Sequence, residues 1–204
     1  MEINKYIDHT LLKATATKEQ ITKLCDEAKE YNFYAVCVNG CYVDLAKKEL
    51  QNSDVKIAAV IGFPLGAMTT EAKVFEAKQC VENGASEIDM VINIGKLLDG
   101  ENEFVESEIR LIKQAIGNTI LKVIFENCYL SKEQIKTASQ LAVNAGADFV
   151  KTSTGFGTDG ATFKDVQIMK DVVKDNAQIK AAGGVRDSAT AEKYIKMGVT
   201  RLGT

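Results

Sequence analysis

The sequence predicts an α/β fold in which eight parallel strands close into a (β/α)8 TIM barrel. Three observations carry that reading. Helix-like and strand-like segments alternate seven times, three of the helix-to-strand joints share one glycine-centred phrase, and a short apolar segment before the first helix brings the strands to eight. The 204 residues are enough to bury a full core. No Pro/Ser-rich linker interrupts them and Pro64 is the only proline, so residues 1–204 read as a single domain.

Taken in order, Tyr6 to His9 is the first short strand. Lys18 to Tyr31 has helical periodicity, with Ile21, Leu24, Cys25 and Ala28 on one apolar stripe and Thr17 placed as its N-cap. Phe33 to Val38 follows as a strand. Helix Val43 to Leu50 then precedes strand Val55 to Ile61, helix Glu71 to Glu82 precedes Glu87 to Ile92, and helix Glu103 to Ile116 precedes Ile120 to Glu126. Helix Lys132 to Val143 leads to Asp148 to Thr152, Lys164 to Val173 to Gln178 to Ala182, and Ala189 to Met197 to Thr200 to Gly203. Asn83-Gly84-Ala85, Ala145-Gly146-Ala147 and Met197-Gly198-Val199 each place a glycine where a helix ends in the left-handed conformation. Strands that alternate with helices pair in parallel through right-handed crossovers, as an open doubly wound sheet or a closed barrel, and eight strands favour closure.

The two faces of the strands differ in chemistry. In Ile120 to Glu126, Leu121, Val123 and Phe125 share one face and Lys122, Ile124 and Glu126 the other. Ile88, Met90 and Ile92 likewise oppose Glu87, Asp89, Val91 and Asn93, and Ile179 and Ala181 oppose Lys180. With helices outside, the apolar set is expected to face them and the ionisable set to line the interior.

Composition removes several functions. The net charge is −3 and no Lys/Arg-rich run is present, which argues against nucleic acid as a partner. No apolar stretch approaches the ~20 residues of a membrane span, and Met1 to Leu12 carries Glu2, Lys5, Asp8 and His9 rather than a signal-peptide core. A cytoplasmic protein without membrane partners is expected. The five cysteines lack paired CxxC spacing and read as reduced thiols. One histidine, His9, cannot build a histidine-rich metal centre, and Cys37 and Cys41 lack further zinc ligands, so no metal is expected. There is no G-x-S-x-G elbow, Walker loop or dinucleotide fingerprint.

What remains is a pair of lysines in apolar strands. Lys151 follows Ala147-Asp148-Phe149-Val150 and Lys180 lies between Ile179 and Ala181, positions costly for an ammonium group unless it is partnered or used. An ordinary lysine is uncharged in only about 0.04% of molecules at pH 7, whereas burial and a second ammonium nearby both raise that fraction. Spacing alone leaves two readings open. One is Schiff-base catalysis, with either lysine as nucleophile and the other as its electrostatic partner; the other is two buried salt bridges to Asp89 and Glu126. Asp89 shuttles a proton in the first and only neutralises charge in the second. Lys122 and Glu126, on one strand face, read as a structural ion pair inside the barrel. Two glycine clusters follow the lysine strands, Ser153 to Gly160 and Gly183-Gly184, where backbone N–H groups can meet a phosphate or simply make tight turns. Cys37 reads first as a small core residue, and His9 as part of a local hydrogen-bond network.

Six segments in order then resemble deoxyribose-phosphate aldolases. They are Asp8-His9-Thr10-Leu11-Leu12, Val36-Cys37-Val38-Asn39, Ile61 to Gly66, Glu87 to Asn93, Val150 to Phe156 and Ile179 to Arg186. The resemblance spans nearly the whole chain. It implies a metal-independent, cofactor-free class I aldolase that reversibly cleaves 2-deoxy-D-ribose 5-phosphate to D-glyceraldehyde 3-phosphate and acetaldehyde. It also implies Lys151 as the Schiff-base lysine, Lys180 as the lysine that perturbs it, and Asp89 as the proton relay. Thr154, Gly155, Gly183 and Gly184 would contact the sugar phosphate, with Arg186 less clearly involved; Cys37 would border the aldehyde pocket and Lys122 would support the catalytic network. A homodimer fits the resemblance, although no surface patch in the sequence demonstrates one. Two departures are Gly40 after Asn39, where many relatives have proline, and Glu126-Asn127-Cys128 in place of Glu-Thr-Cys. The chain also stops at Thr204, where the family continues with phosphate-binding serines, a final helix and a tail ending in tyrosine, so apolar surface is expected on the outer side of the first and last strands. A phosphosugar-binding barrel without turnover and a phosphosugar isomerase are the competing functions.

Overall fold

A computed structural model describes residues 2–204. Its strands are β1 (Ile7–Leu11), β2 (Ala35–Asn39), β3 (Lys56–Ile61), β4 (Glu87–Val91), β5 (Ile120–Ile124), β6 (Phe149–Lys151), β7 (Gln178–Ala182) and β8 (Arg201–Gly203). All pair in parallel in sequence order, and β8 returns to β1 with Ile7 opposite Leu202 and Asp8 opposite Gly203, which closes the barrel. The helices wrap the outside: α1 (Lys18–Glu30), α2 (Val43–Glu49), α3 (Thr70–Asn83), α4 (Ile94–Leu98), α5 (Asn102–Ile116), α6 (Lys132–Asn144), α7 (Phe163–Val173) and α8 (Ser188–Lys196).

Local chemistry sets the boundaries. The Thr17 side chain caps α1 by accepting from the Gln20 N–H while the Gln20 side chain accepts from the Thr17 N–H, and Ser131 and Gln134 repeat this box at α6. Gly84, Gly146 and Gly198 all have positive φ at the expected joints. The short helix α4, which periodicity does not reveal, joins α5 in one crossover between β4 and β5. Its N-cap is Asn93, whose side chain accepts from the Lys96 N–H.

The core is a shell between strands and helices. Ile88, Met90, Leu121, Val123, Phe125, Val150, Ile179 and Ala181 point outward into it and meet α-helical residues such as Ile109, Ile112, Ile135 and Val166. The expected division between apolar and ionisable strand faces is therefore present. Within the shell, buried Lys73 of α3 pairs with buried Glu108 of α5 at 2.9 Å, donates to the Val91 carbonyl, and brings Glu108 to the Asn93 N–H. Two helices are thereby pinned to the exit of β4.

No helix follows β8 among the described residues. An apolar groove of about 570 Å³ lies over β1 and β8 there, lined in part by Ile7, Phe33, Ala191 and Leu202. Among the described residues, no helix is long and apolar enough to cross a membrane.

One tight contact near the mouth of the barrel tests this architecture. Gly66 has φ +67°, and a Cβ built there would lie 1.9 Å from the Ile92 carbonyl oxygen, which belongs to backbone and cannot swing away. Gly66→Ala should lower stability by about 1–3 kcal/mol, read as a lower urea midpoint. An unchanged midpoint would contradict the close approach of the two loops.

Candidate active site

Alternation along the strands delivers seven charged side chains to one sealed space. β1 contributes Asp8, β4 Glu87 and Asp89, β5 Lys122, β6 Lys151, β7 Lys180 and β8 Arg201, all of them buried. The register places Asp89 opposite Lys122, Lys151 opposite Lys180, and Lys180 opposite Arg201. Lysines in neighbouring parallel strands thus face one carboxylate.

Asp89 is the hub. Its Oδ1 accepts from Lys122 at 2.6 Å, and its Oδ2 accepts from both Lys151 at 2.8 Å and Lys180 at 2.9 Å. Lys180 also donates to Asp8, and Lys122 reaches Glu87 at 2.5 Å. Burial works against the Asp89 charge, but the ammonium groups of Lys122, Lys151 and Lys180 hold its carboxyl well below the usual carboxylate range. Asp8 is lowered too: burial opposes its charge, and Lys180, Lys122 and Arg201 outweigh burial.

The lysines diverge. Lys151 is pushed below an ordinary lysine, first by burial, against the pull of Asp89, and further by the Lys180 charge. Lys180 is buried as well, yet Asp8 and Asp89 together hold it above the ordinary value, and Lys122 is raised by Asp89 and Asp8 against its burial. Two of the lysines are thus biased toward the ammonium form and Lys151 is biased away from it.

A cavity of about 290 Å³ opens at the carboxyl ends of β6, β7, β8 and β1, and Lys151 is the cluster member that borders it. Thr154, Gly155, Gly183 and Gly184 line the same cavity, as do Lys13 and Arg186, both exposed. Gly183 and Gly184 have φ +82° and +83°, and a Cβ at Gly183 would stand 2.9 Å from the Gly160 Cα, so the two glycine clusters are packed on each other. Cys37 is not part of the cavity wall. It packs inside the barrel with Leu12, Ala58, Val60 and Phe63, and burial pushes its thiol up.

The expected pairing of Glu126 with a lysine is incorrect. β5 ends at Ile124 and Glu126 takes φ +56°, which breaks the alternation that would aim it at Lys122. Its carboxylate accepts instead from the Thr154 N–H at 3.2 Å and from the Thr154 hydroxyl. It fastens the β6 exit loop rather than neutralising an ammonium. Lys122 finds Glu87 and Asp89.

Asp8, Glu87 and Arg201 are the members to which sequence reasoning gave no role. Each was detectable as a charged residue within an apolar strand, in the same alternation that singled out Lys180. Arg201 binds Asp8 at 2.9 Å and Glu87 at 2.8 and 3.2 Å, with its guanidinium 3.5 Å from the Tyr34 ring centroid.

A closed barrel whose cavity lies at the carboxyl ends of the strands, over a buried lysine–carboxylate cluster, defines an enzyme of the (β/α)8 class. Within that class the family is specific. The model of the DeoC/LacD family aldolases matches residues 3–202, and the chain belongs to that family; it is an aldolase, a carbon–carbon lyase. It is 56% identical over 203 residues to a deoxyribose-phosphate aldolase of Geobacillus sp., covering 99% of this chain and 91% of that one. Identity to the deoxyribose-phosphate aldolase of Finegoldia magna is 54%, covering 100% and 95%. Among solved structures, the tetrameric deoxyribose phosphate aldolase of Aeropyrum pernix superposes with a TM-score of 0.89 at 32% identity, over 99% of this chain and 86% of that one.

The hub makes stability depend on pH. Because the Asp89 pKa is lowered on folding, its contribution is complete above the unfolded value of about 4 and is lost as pH falls through the folded value. Asp89→Asn should destabilise the protein at pH 7 by about 3–5 kcal/mol, since the buried ammonium groups lose their shared carboxylate. Urea unfolding at decreasing pH should show the gap to the wild type narrowing below about pH 4. A gap constant with pH would mean that the Asp89 charge does not hold the lysines.

Proposed function

We propose that this aldolase reversibly cleaves 2-deoxy-D-ribose 5-phosphate to D-glyceraldehyde 3-phosphate and acetaldehyde through a Schiff base on Lys151, with no external cofactor. The observation that carries the proposal is the position of Lys151: of the three lysines on Asp89, it alone borders the cavity, and it alone is pushed toward the free amine. The substrate class follows the named activity of the relatives and the cavity chemistry. Gly155, Gly183 and Gly184 offer backbone to a phosphate, and Lys13 and Arg186 add positive charge at the same rim. Thr154 is positioned there by Glu126.

The uncharged Lys151 nitrogen adds to the C1 carbonyl of the open-chain sugar. Asp89, ionised in the resting enzyme, is first an acceptor, and it can return a proton only after taking one from the adding amine. Loss of water then gives an iminium, the electron sink for cleavage. The bond that breaks is C2–C3 and not C3–C4, because only the C2–C3 pair can flow into a C1 iminium. The C3 hydroxyl passes its proton through water to the Asp89 carboxylate, the three-carbon aldehyde phosphate departs, and a two-carbon enamine stays on Lys151. That proton returns to the enamine carbon, water adds to the resulting iminium, and acetaldehyde leaves with release of the amine and of the proton that iminium formation took from solvent. Lys180 remains an ammonium ion throughout, its charge favouring the free amine of its neighbour before each addition.

Borohydride with acetaldehyde should leave one reduced ethyl adduct, on the peptide that contains Lys151, at a pH well below the ordinary lysine value. Lys151→Leu should abolish that adduct and reduce acetaldehyde release from 2-deoxyribose 5-phosphate by about 10³-fold or more. Release of acetaldehyde by this variant at the wild-type rate would overturn the assignment. An unchanged carbon count in the product would point to an isomerase, and saturable binding without product to a binding protein.

A further inference from the structure

The charges sealed in the barrel do not balance. Lys122, Lys151, Lys180 and Arg201 form one unbroken set of contacts with Asp8, Glu87 and Asp89, so four cations meet three carboxylates. Arg201 closes the set: one guanidinium nitrogen spans Asp8 and Glu87 and another reaches Glu87, while Nε has no hydrogen-bond partner among the described residues and the guanidinium carbon stands 3.5 Å from the Tyr34 ring centroid and 5.3 Å from that of Phe149. A guanidinium cannot give up its proton in a protein.

We propose that Arg201 is a positioning residue for the reaction, acting as the fourth cation that leaves the sealed cluster one positive charge in excess, so that Lys151 yields a proton and stands ready as the nucleophile. A net charge held away from water is strongly unfavourable, and the least costly relief is to neutralise the cation with the weakest hold on the carboxylates. Lys122 contacts Glu87 and Asp89 and lies 3.8 Å from Asp8. Lys180 contacts Asp8 and Asp89. Lys151 has only Asp89 Oδ2, which it shares with Lys180. It is the least held of the three.

The other groups near Lys151 do not restore the balance. Cys37 from β2 lies close by, and its thiol is held protonated by burial. Glu126 beyond β5 is committed to Thr154 and has no cation within ion-pair distance. Lys13 and Arg186 at the rim are exposed to water. The opposite directions taken by Lys151 and by Lys122 and Lys180 agree with this distribution. Lys180 acts on Lys151 directly, and on this balance the fourth cation, entering through β8, takes up the carboxylate charge that would otherwise offset Lys180.

The consequence for catalysis rests on the Schiff-base reading, but the ionisation of Lys151 can be measured without it. Competitive acetylation by acetic anhydride as a function of pH, followed on the Lys151 peptide, reports the fraction of free amine. In Arg201→Met the midpoint should rise by about one pH unit, because removal of a cation favours the ammonium form. Arg201→Lys keeps the charge and should leave the midpoint near the wild-type value. Glu87→Gln removes an anion and should lower it. A folded Arg201→Met protein with an unmoved midpoint would overturn the proposal, as would equal shifts in Arg201→Lys and Arg201→Met. Should Arg201→Met not fold, Glu87→Gln decides: a midpoint that stays or rises refutes the charge balance. Borohydride trapping on the wild type separates the two ideas. Shifted midpoints without a Lys151 adduct would sink the Schiff base and leave the charge balance standing, and an adduct with unmoved midpoints would do the reverse.

Discussion

Asp89 is shared by three buried lysines whose nitrogens lie 2.6 to 2.9 Å from its two oxygens. Such an arrangement is unstable in isolation: each ammonium loses its hydration, and one carboxylate cannot neutralise three. It survives because neighbouring strands supply Asp8 and Glu87 at the same depth, and because the barrel fixes every member relative to the others. The closed sheet leaves no edge from which water could enter between strands. The cavity at the carboxyl ends of the strands reaches the cluster at Lys151. Under the proposed mechanism the reacting nitrogen is the one that borders this cavity, and the lysines with more ionic contacts do not line it.

Closure and electrostatics depend on each other in this protein. Strand alternation sends Ile88, Met90, Leu121, Val123 and Ile179 outward to the helices, and the same pleat sends Glu87, Asp89, Lys122 and Lys180 inward. A shift of register by one residue in β4 or β7 would expel a charge into the apolar shell and bring an aliphatic side chain into the cluster. The ion pairs are thus better understood as a penalty on wrong registers than as a source of net stability, since well-packed apolar residues of similar volume often serve stability as well or better. Stability comes from the outer shell. The Lys73–Glu108 pair extends the same logic outside the barrel, holding α3 and α5 to the Val91 carbonyl and Asn93 N–H just beyond the hub strand.

The parts of this design that could be read from the sequence are those governed by period. The helices other than α4, the eight strands, the left-handed glycines at the joints and the inward face of β4, β5 and β7 follow from local rules. Lys151, Lys180, Asp89 and Lys122 were therefore visible as candidates before any coordinates. What period cannot supply is the pairing of charges across strands distant in the chain, such as Arg201 with Asp8 and Glu87. The error at Glu126 has a local cause: a single residue at φ +56° ends the alternation that β5 obeys up to Ile124. Cys37 shows another limit. Its strand points it into the barrel as expected, but Leu12, Val60 and Phe63 surround it, and strand direction alone does not say how far the cavity descends.

A lysine can be made reactive by burial alone, but burial alone also destabilises the iminium of the proposed Schiff-base route, since that intermediate carries the same charge as the ammonium. A cluster with an anion already in contact avoids the conflict. Asp89 stays ionised and touches the Lys151 nitrogen, so a cation that develops there meets a carboxylate fixed in advance. This contact favours the resting ammonium as well as the proposed iminium, and the surrounding cations oppose both, so on the proposed charge balance the free amine is reached where their combined repulsion offsets the pull of Asp89. An offset of that kind is easier to hold with several cations fixed at different depths, which a ring of strands provides and a single neighbouring lysine does not.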